Sequence, residues 1–246
     1  FSTTTKLEGQ ATWVFGASRF KGSASRLRSQ SNEALGGTTF NYDLQLGLAT
    51  SFTGKDQLTT VLRGGNFDGD GNVFGSGGPS GLATLETAFQ EGDRPNLVAI
   101  DKLFSSFPLG YEITITIGPI VGQEDMLAIW PSVYPSDPIL DVLTVNGAPG
   151  AYNKNKGAGV GISWASESGA RASANYVATN GALSDTRSGG FANDEAGGTG
   201  TLQLGWEGDN WGVAALYSKV QNGQDLIVYA TPFVKDRFSD RGVTHA

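Results

Sequence analysis

Apolar and polar residues alternate strictly along two neighbouring stretches of the chain, Thr38–Thr50 and Gln57–Arg63. In the first stretch the alternate positions on one side are apolar, namely Phe40, Tyr42, Leu44, Leu46 and Leu48. The positions between them are polar or small, namely Asn41, Asp43, Gln45, Gly47 and Ala49. A period of two predicts a β-strand with one apolar and one polar face. The short turn sequence at residues 53–56 joins the two strands into a hairpin.

The same alternation predicts further strands along the rest of the sequence. They are expected at residues 4–17, 96–104, 111–118, 158–164, 172–178, 202–206 and 211–217, with a tenth starting near Val243. The faces of the 96–104 strand are left unassigned because Asp101 and Lys102 place a charge on each side. Residues 18–37 are predicted to be a loop. The Gly-rich stretch 64–95 is predicted to be either a loop throughout or a loop with a short helix near Leu82–Phe89.

Connections between the predicted strands alternate in length. Short turns are expected near residues 53, 107, 168 and 209, and long polar loops at 18–37, 64–95, 119–156 and 179–200. A sheet in a soluble protein buries its apolar face against a second layer, whereas a transmembrane barrel turns that face toward lipid. Short turns at one end and long loops at the other are typical of outer-membrane barrels.

Aromatic residues cluster at the ends of the predicted strands. Two membrane-interface girdles are therefore expected, built from Trp13, Tyr42, Phe52, Tyr111, Trp164, Trp206 and Trp211. The first two lie toward the long loops and the other five beside the short turns. Ten residues separate Tyr42 from Phe52, which is roughly 33 Å along a strand and about 25 Å of height at the tilt of a barrel. This height matches the apolar band of a membrane barrel.

Composition excludes several classes of function for this chain of 246 residues. The net charge of −7 argues against a nucleic-acid partner. The absence of cysteine and the single histidine, His245, leave little basis for thiolate catalysis, a Ser-His-Asp triad or a Cys- or His-based metal site. The sequence contains no run of about 18 apolar residues, so no transmembrane helix is predicted. We therefore expect neither an enzyme nor a bound metal or cofactor.

The segment Pro119–Lys156 is too long and too apolar to extend freely into solvent, so we expect it to fold into the barrel and narrow a pore. Its acidic residues would face basic residues across the constriction and set ion preference. The predicted pore residues are Lys6, Glu8, Asp43, Arg63, Glu112, Glu124, Asp125, Asp137, Asp141 and Arg171. The alternatives are a loop packed at a subunit interface, a plain surface excursion, and a polar face that is merely solvated.

Three stretches resemble the cyanobacterial outer-membrane porins of the carbohydrate-selective (OprB-like) superfamily. They are Ser2–Gln10, the hairpin Leu48–Leu58 continued by Leu62–Asn66, and Phe107–Gly110. The resemblance implies a trimeric channel in the outer membrane for small hydrophilic solutes or inorganic ions, and some members are described as iron-uptake porins. It also implies an N-terminal S-layer-homology (SLH) domain that binds peptidoglycan-linked cell-wall polysaccharide.

The chain departs from that family in two respects. It carries no SLH domain, and its nine strands with the start of a tenth fall short of the sixteen or so that the family's barrel needs. We therefore expect residues 1–246 to be the barrel part, itself incomplete, of a larger multi-pass outer-membrane protein. The expected fold is an antiparallel all-β transmembrane barrel with an inward-folded long loop. The alternative function is a soluble, secreted β-rich adhesin or glycan-binding module.

Overall fold

A single antiparallel sheet organises the protein. The computed structural model describes residues 3–69, 71–75, 83–130, 132, 134–135, 137–145, 148–222 and 243–245. Ten strands pair in chain order. They are β1 (Thr4–Gly16), β2 (Thr39–Ser51), β3 (Gln57–Gly65), β4 (Val98–Leu109), β5 (Ile113–Gly122), β6 (Lys156–Ala165), β7 (Ala170–Ala178), β8 (Gly198–Glu207), β9 (Gly212–Gln221) and β10 (Val243–His245). In the described residues β1 pairs with β2 and β10 with β9, so the sheet is open as described.

The β2–β3 hairpin shows how the alternation sets the register. Leu46 pairs with Leu62 and Gln45 with Arg63, so apolar residues meet apolar residues on one face and polar residues meet on the other. The Asp56 carboxylate closes the turn by accepting the backbone N–H of Thr53 at 2.6 Å. Hydrogen bonds from the Thr53 hydroxyl and this N–H lower the pKa of Asp56 to about 2. Gly54 supplies the positive φ of 82° that the turn requires.

The two faces of the sheet have the opposite burial from a soluble sheet. On β8, Leu202 and Leu204 are 58% and 69% exposed, whereas Thr201 and Gln203 are 2% and 1% exposed. The pattern extends across the sheet: exposed apolar side chains include Leu7, Trp13, Phe15, Phe40, Val98, Ile100, Ile117, Val160, Ile162, Trp164, Trp206, Val213 and Tyr217. Buried polar side chains on the strands include Asn41, Asp43, Asp101, Thr116, Ser173, Asn175, Thr199 and Ser218. The chain folds back over the polar face.

The predicted alternation of connections is confirmed. Short turns link β2 to β3, β4 to β5, β6 to β7 and β8 to β9, while residues 17–38, 66–97, 123–155 and 179–197 form the long connections. The predicted tenth strand is also confirmed as β10. An all-β antiparallel sheet with few helical residues is therefore established.

Two local predictions were wrong. Residues 18–37 contain a helix, α1 (Ser25–Leu35), which the lack of apolar periodicity in this Ser- and Arg-rich stretch concealed. For the 64–95 stretch, the helix-free alternative agrees with the structure, because residues 83–89 contain no helix; Leu82 lies outside the described residues. The turn predicted near residue 107 lies instead within β4, because Ser105, Phe107 and Leu109 continue the alternation of the strand on its exposed apolar face. As a result the turn falls later, and Tyr111 lies in it rather than in a strand.

Candidate functional site: a charged cavity on the polar face

The 123–155 loop is fastened to the polar face by glutamine side chains. The Gln203 carboxamide accepts the backbone N–H of Ile129 at 3.1 Å and donates to the Ile129 carbonyl at 2.8 Å. Gln123, at the start of the loop, donates to the Thr201 hydroxyl at 2.7 Å and to the Ala151 carbonyl at 2.8 Å. These bonds satisfy buried polar groups of strand and loop together, as a buried polar interface requires.

A small apolar contact also holds the 123–155 loop against the sheet. Met126, in the single turn of 3-10 helix Glu124–Met126, packs with Val121 and Val177, and Phe104 lies against them. Gly161 on β6 makes room for this contact, because a Cβ atom there would lie 2.8 Å from the Met126 sulfur. The inward-folded loop that the sequence predicts is thus present as a loop packed on the polar face.

A second loop, residues 66–97, joins the first over the sheet. The Glu86 N–H donates to the Ile139 carbonyl at 3.1 Å, and the Asp141 N–H donates to the Thr84 carbonyl at 3.1 Å. Leu85 and Leu140 form an isolated antiparallel bridge between the same segments. The two loops therefore act as one inner layer.

A cavity of about 240 Å³ lies where the two loops meet β1–β6. We call it the charged cavity; it is lined by Gln10, Gln45, Arg63, Glu86, Thr87, Asp101, Lys102, Glu124, Asp137, Lys154 and Lys156. Most of its charged groups form ion pairs. Lys102 contacts Glu124 at 3.0 Å and Asp125 at 2.8 Å. Arg63 contacts Asp43 at 2.8 Å.

Lys154 links the two loops electrostatically. Its ammonium lies 2.7 Å from the Glu86 carboxylate and 3.3 Å from the Asp137 carboxylate. Lys156 pairs with Asp101 in the same cavity. Asp137 is 71% and Lys156 40% exposed, whereas the other paired side chains of the cavity are at most 22% exposed. These two groups are therefore the most solvent-accessible paired charges of the cavity.

Burial changes the acidity of the loop carboxyls in the cavity. It raises the pKa of Glu86 to about 8, against the attraction of the Lys154 ammonium for the ionised form. Burial likewise raises the pKa of Glu124 despite the nearby Lys102. For Lys154, burial lowers the pKa, but the Glu86 carboxylate outweighs it and the pKa is raised. Glu86 is therefore a cavity group whose charge changes near pH 8.

The structure brings together only part of the predicted pore set. Arg63, Glu124 and Asp137 line the charged cavity, and Asp43 and Asp125 are bonded to its lining residues. Asp141 is buried at 5% exposure, and its backbone and side chain accept from the Thr144 hydroxyl. Its side chain also hydrogen-bonds with that of Glu86, so Asp141 supports a lining residue without itself lining the cavity.

The other four predicted pore residues lie away from the cavity lining. Lys6 and Glu8 are exposed on β1. Glu112 lies in the β4–β5 turn, where it accepts from the Trp164 indole at 3.0 Å. Arg171 pairs with Glu207 at 2.9 Å beside the β6–β7 turn. Their predicted role in lining a pore stays a prediction, but they belong to other parts of the sheet.

Sequence reasoning missed Glu86, Asp101, Lys102, Lys154 and Lys156. A β-bulge explains Asp101 and Lys102: Val61 pairs with Lys102 and Leu62 with Ile100, so the register skips Asp101. An extra residue of this kind turns two successive charges toward one face. The sequence signal for this bulge was the pair of charges at the adjacent residues Asp101 and Lys102.

The aromatic residues predicted to form the two girdles lie at both ends of the exposed apolar face of the sheet, which we call the outward face. Trp13 pairs with Tyr42 near the long loops, and Trp13 is 72% exposed. Phe52, Tyr111 and Trp211 occupy the short turns, and Trp164 and Trp206 end their strands beside them. The placement matches two bands, and their action as membrane girdles stays a prediction.

In the described part of the chain, no group of three or more His, Asp or Glu residues is arranged to hold a metal ion. Among the same residues, no helix has the length and apolar character needed to cross a membrane.

Comparison with known proteins finds two cyanobacterial relatives. The chain is 31% identical over 222 residues, 89% of its length, to the "Uncharacterized protein sll0772" of Synechocystis sp. (strain PCC 6803), of which it covers 37%. It is 41% identical over 114 residues, 45% of its length, to the "Uncharacterized protein alr4550" of Nostoc sp. (strain PCC 7120), of which it covers 18%. No family model matches. The chain thus spans well under half of these relatives, and neither name states an activity.

Proposed function

We propose that this sheet is part of a transmembrane β-barrel porin in the outer membrane, through which small hydrophilic solutes and inorganic ions diffuse. No covalent step is involved in this function. Selectivity comes from the width and the charges of the charged cavity. A fold alone does not imply a function; the two faces of the sheet and the charged cavity support this one.

The inverted burial of the sheet carries the proposal. Burying one large apolar side chain is worth about 1.5–3 kcal/mol, and the largest apolar patch on a soluble monomer is usually only a few hundred Å². Here apolar side chains such as Leu204 stay exposed on seven of the nine strands β1 to β9, while Gln203 and its polar neighbours are covered. Lipid supplies the missing apolar environment outside, and water supplies hydrogen bonds inside.

Strand length agrees with this interpretation. Strands β1 to β9 are 9 to 13 residues long. A tilted strand needs about 9–11 residues to cross a bilayer. The aromatic residues at both strand ends fit the two interfaces.

The charged cavity supports a pore for ions and small polar solutes over a dedicated sugar channel. Carboxylates and cations lie together on both the sheet and the loops that line the cavity, and charged groups lining a pore set which ions pass. No aromatic side chain is among the described lining residues, whereas a sugar channel needs a track of aromatic rings.

Closure of the barrel, its strand total and its assembly are part of the same proposal. We infer a barrel of about sixteen strands, completed by chain beyond the ten strands described, and a homotrimer in the membrane. An SLH domain in a longer parent protein would bind cell-wall polysaccharide. The partial coverage of the two long relatives is consistent with such a parent.

Liposome swelling tests the function. Vesicles containing the purified full-length protein should swell in sugars of graded size, at a rate that falls with solute size. Absence of swelling, from protein that stays monodisperse without detergent, would overturn the porin and favour a soluble adhesin. If detergent-dependent protein gives no swelling, planar-bilayer currents in potassium chloride decide: stepwise currents support a pore too narrow for sugars, and their absence rejects the pore.

A further inference from the structure

Positive charge is concentrated in the connection between β1 and β2. Residues 17–38 contain four basic side chains, Arg19, Lys21, Arg26 and Arg28, and a single acidic one, Glu33. The chain as a whole carries a net charge of −7. This segment, which we call the cationic rim, therefore has a net positive charge, whereas the rest of the protein has a net negative charge.

The cations of the rim lack carboxylate partners, unlike those of the charged cavity. In the part of the chain that the structure describes, Arg63, Lys102, Lys154, Lys156, Arg171 and Arg187 form ion pairs. None of the four rim cations does, and all four are exposed. Unpaired, exposed cations close together attract an anionic partner.

The rim is a folded loop closed by hydrogen bonds between its own residues, and it joins the ends of β1 and β2 directly. The Asn32 side chain on α1 accepts the Phe20 backbone N–H at 3.0 Å and donates to the Phe20 carbonyl at 2.9 Å. Arg19 donates to the Gly36 carbonyl, and Arg28 donates to the Gly22 carbonyl at 3.1 Å. The cations are thus kept beside the ends of β1 and β2.

Immediately below the rim lies the exposed aromatic band of the outward face. Trp13 pairs with Tyr42, and Phe15 pairs with Phe40 at a ring-centroid distance of 5.9 Å. Phe15 and Phe40 are 75% and 67% exposed. Aromatic residues in membrane proteins lie at the level of the headgroups, so the rim begins where lipid phosphates lie.

The inner side of this sheet end is already occupied. A Cβ atom at Gly16 would lie 2.9 Å from the Phe74 ring, so the 66–97 loop covers the polar face there. The helix α1 buries none of its residues against the rest of the protein. Leu27, between Arg26 and Arg28, is 66% exposed. A surface helix with basic residues and an exposed leucine suits a lipid interface.

We propose that the cationic rim binds the phosphate-bearing headgroups of anionic lipids in the membrane that surrounds the sheet. The inference rests on the proposed membrane location. The negative headgroups complement the unpaired cations, while the aromatic band beneath contacts the acyl chains. Such binding would anchor the long-loop end of β1 and β2 at a fixed depth.

Native mass spectrometry of the full-length protein in detergent tests the proposal. Phosphatidylglycerol or phosphatidylcholine with identical acyl chains is added, and the apparent Kd of the first bound lipid is measured. The test variant is K21Q/R26Q, whose two side chains are exposed and make no hydrogen bond in the described structure. The matched control is K6Q/K55Q, which removes two exposed cations elsewhere in the sheet.

Wild type should prefer phosphatidylglycerol by about tenfold or more, K21Q/R26Q should lose most of this preference, and K6Q/K55Q should keep it. An equal loss in the control would overturn the site, since net charge alone would then explain binding. So would equal binding of both lipids by wild type that still forms channels. A changed ion selectivity of K21Q/R26Q with an intact lipid preference would assign the rim to the pore mouth instead. Wild type that forms no channel and needs no detergent would overturn the porin together with this inference.

Discussion

The Gln203 side chain hydrogen-bonds both the backbone N–H and the backbone carbonyl of Ile129. The backbone N–H of Ile129 lies 3.1 Å from the Gln203 side-chain oxygen, and the Ile129 carbonyl accepts from the side-chain nitrogen at 2.8 Å. Gln203 is 1% exposed on the polar face of β8, so this one side chain replaces water for two backbone groups of the 123–155 loop. The loop is thereby fixed over the sheet rather than free in the lumen that we propose.

Replacing Gln203 with alanine should release the loop. Two buried backbone groups of Ile129 would lose their partner, at a cost of about 1–3 kcal/mol for each buried group that water does not reach. We expect a larger and noisier single-channel conductance and a lower unfolding temperature, measured in planar bilayers and by circular dichroism. Gln57→Ala is the control, because Gln57 is exposed at the start of β3. Unchanged conductance and stability in Gln203→Ala would contradict the role of this clamp.

The strands and their order follow from local sequence, whereas the cavity does not. The alternation in β2 predicts residues 38–50, and the strand runs from Thr39 to Ser51. Local polarity is enough here because one face of each strand is apolar throughout. Residues 25–35 have no such period, and α1 buries no residue. A helix with no fully buried residue leaves no apolar pattern to find.

The charge pairs of the cavity depend on contacts distant in sequence. Lys154 reaches Glu86 across 68 positions, and this contact exists only because the two loops meet over the sheet. Asp101 and Lys102 share the cavity through a bulge whose position no alternation pattern specifies. The sequence identified the acidic loop and predicted Arg63 and Arg171 as the basic residues opposite it; Arg63 lines the cavity, whereas Arg171 pairs with Glu207 elsewhere.

Neutralising Asp137 should shift ion selectivity more than neutralising Asp141. Asp137 is 71% exposed in the cavity, whereas Asp141 is buried. Removal of one charge about 10 Å from a passing ion in water changes its energy enough for about a twofold change in the permeability ratio. The reversal potential in a potassium chloride gradient should move toward anion preference in Asp137→Asn.

Asp185→Asn is the control for this comparison, because Asp185 pairs with Arg187 in the 179–197 loop and not in the cavity. Asp141→Asn should mainly lower the unfolding temperature. A selectivity shift that is equal in Asp137→Asn and Asp185→Asn would place the constriction elsewhere.

Selectivity should depend on pH through Glu86. Because burial raises the pKa of Glu86 to about 8, the carboxyl is mostly protonated at pH 6 and ionised at pH 9.5. The four cations of the cavity pair with six carboxylates when all are ionised, so ionising Glu86 adds to the negative excess. Cation preference should rise with pH, with a midpoint near 8.

The Glu86→Gln variant tests the assignment, since it should lose this pH dependence while the single-channel conductance changes little. The folded state holds the Glu86 proton above its ordinary pKa of 4.5. This group's contribution to stability is therefore complete below pH 4.5 and is lost as the pH rises through about 8. A pH profile of selectivity that is identical in wild type and Glu86→Gln would show that another group titrates.

A charge on the outward face separates a membrane barrel from a soluble sheet. Leu202 lies near the middle of β8 and is 58% exposed, and Leu183 in the 179–197 loop is 50% exposed. In a bilayer, Leu202→Arg places a cation near the midplane and should cost about 2–4 kcal/mol of folding free energy, whereas Leu183→Arg should cost about 0–1 kcal/mol. Denaturant titration in lipid vesicles, followed by tryptophan fluorescence, measures both. On a soluble sheet both leucines are ordinary surface positions, and both substitutions should stay within about 0.5 kcal/mol of wild type. Equal small effects of both substitutions would show that this face does not contact lipid. A large effect confined to Leu202→Arg would support contact with lipid.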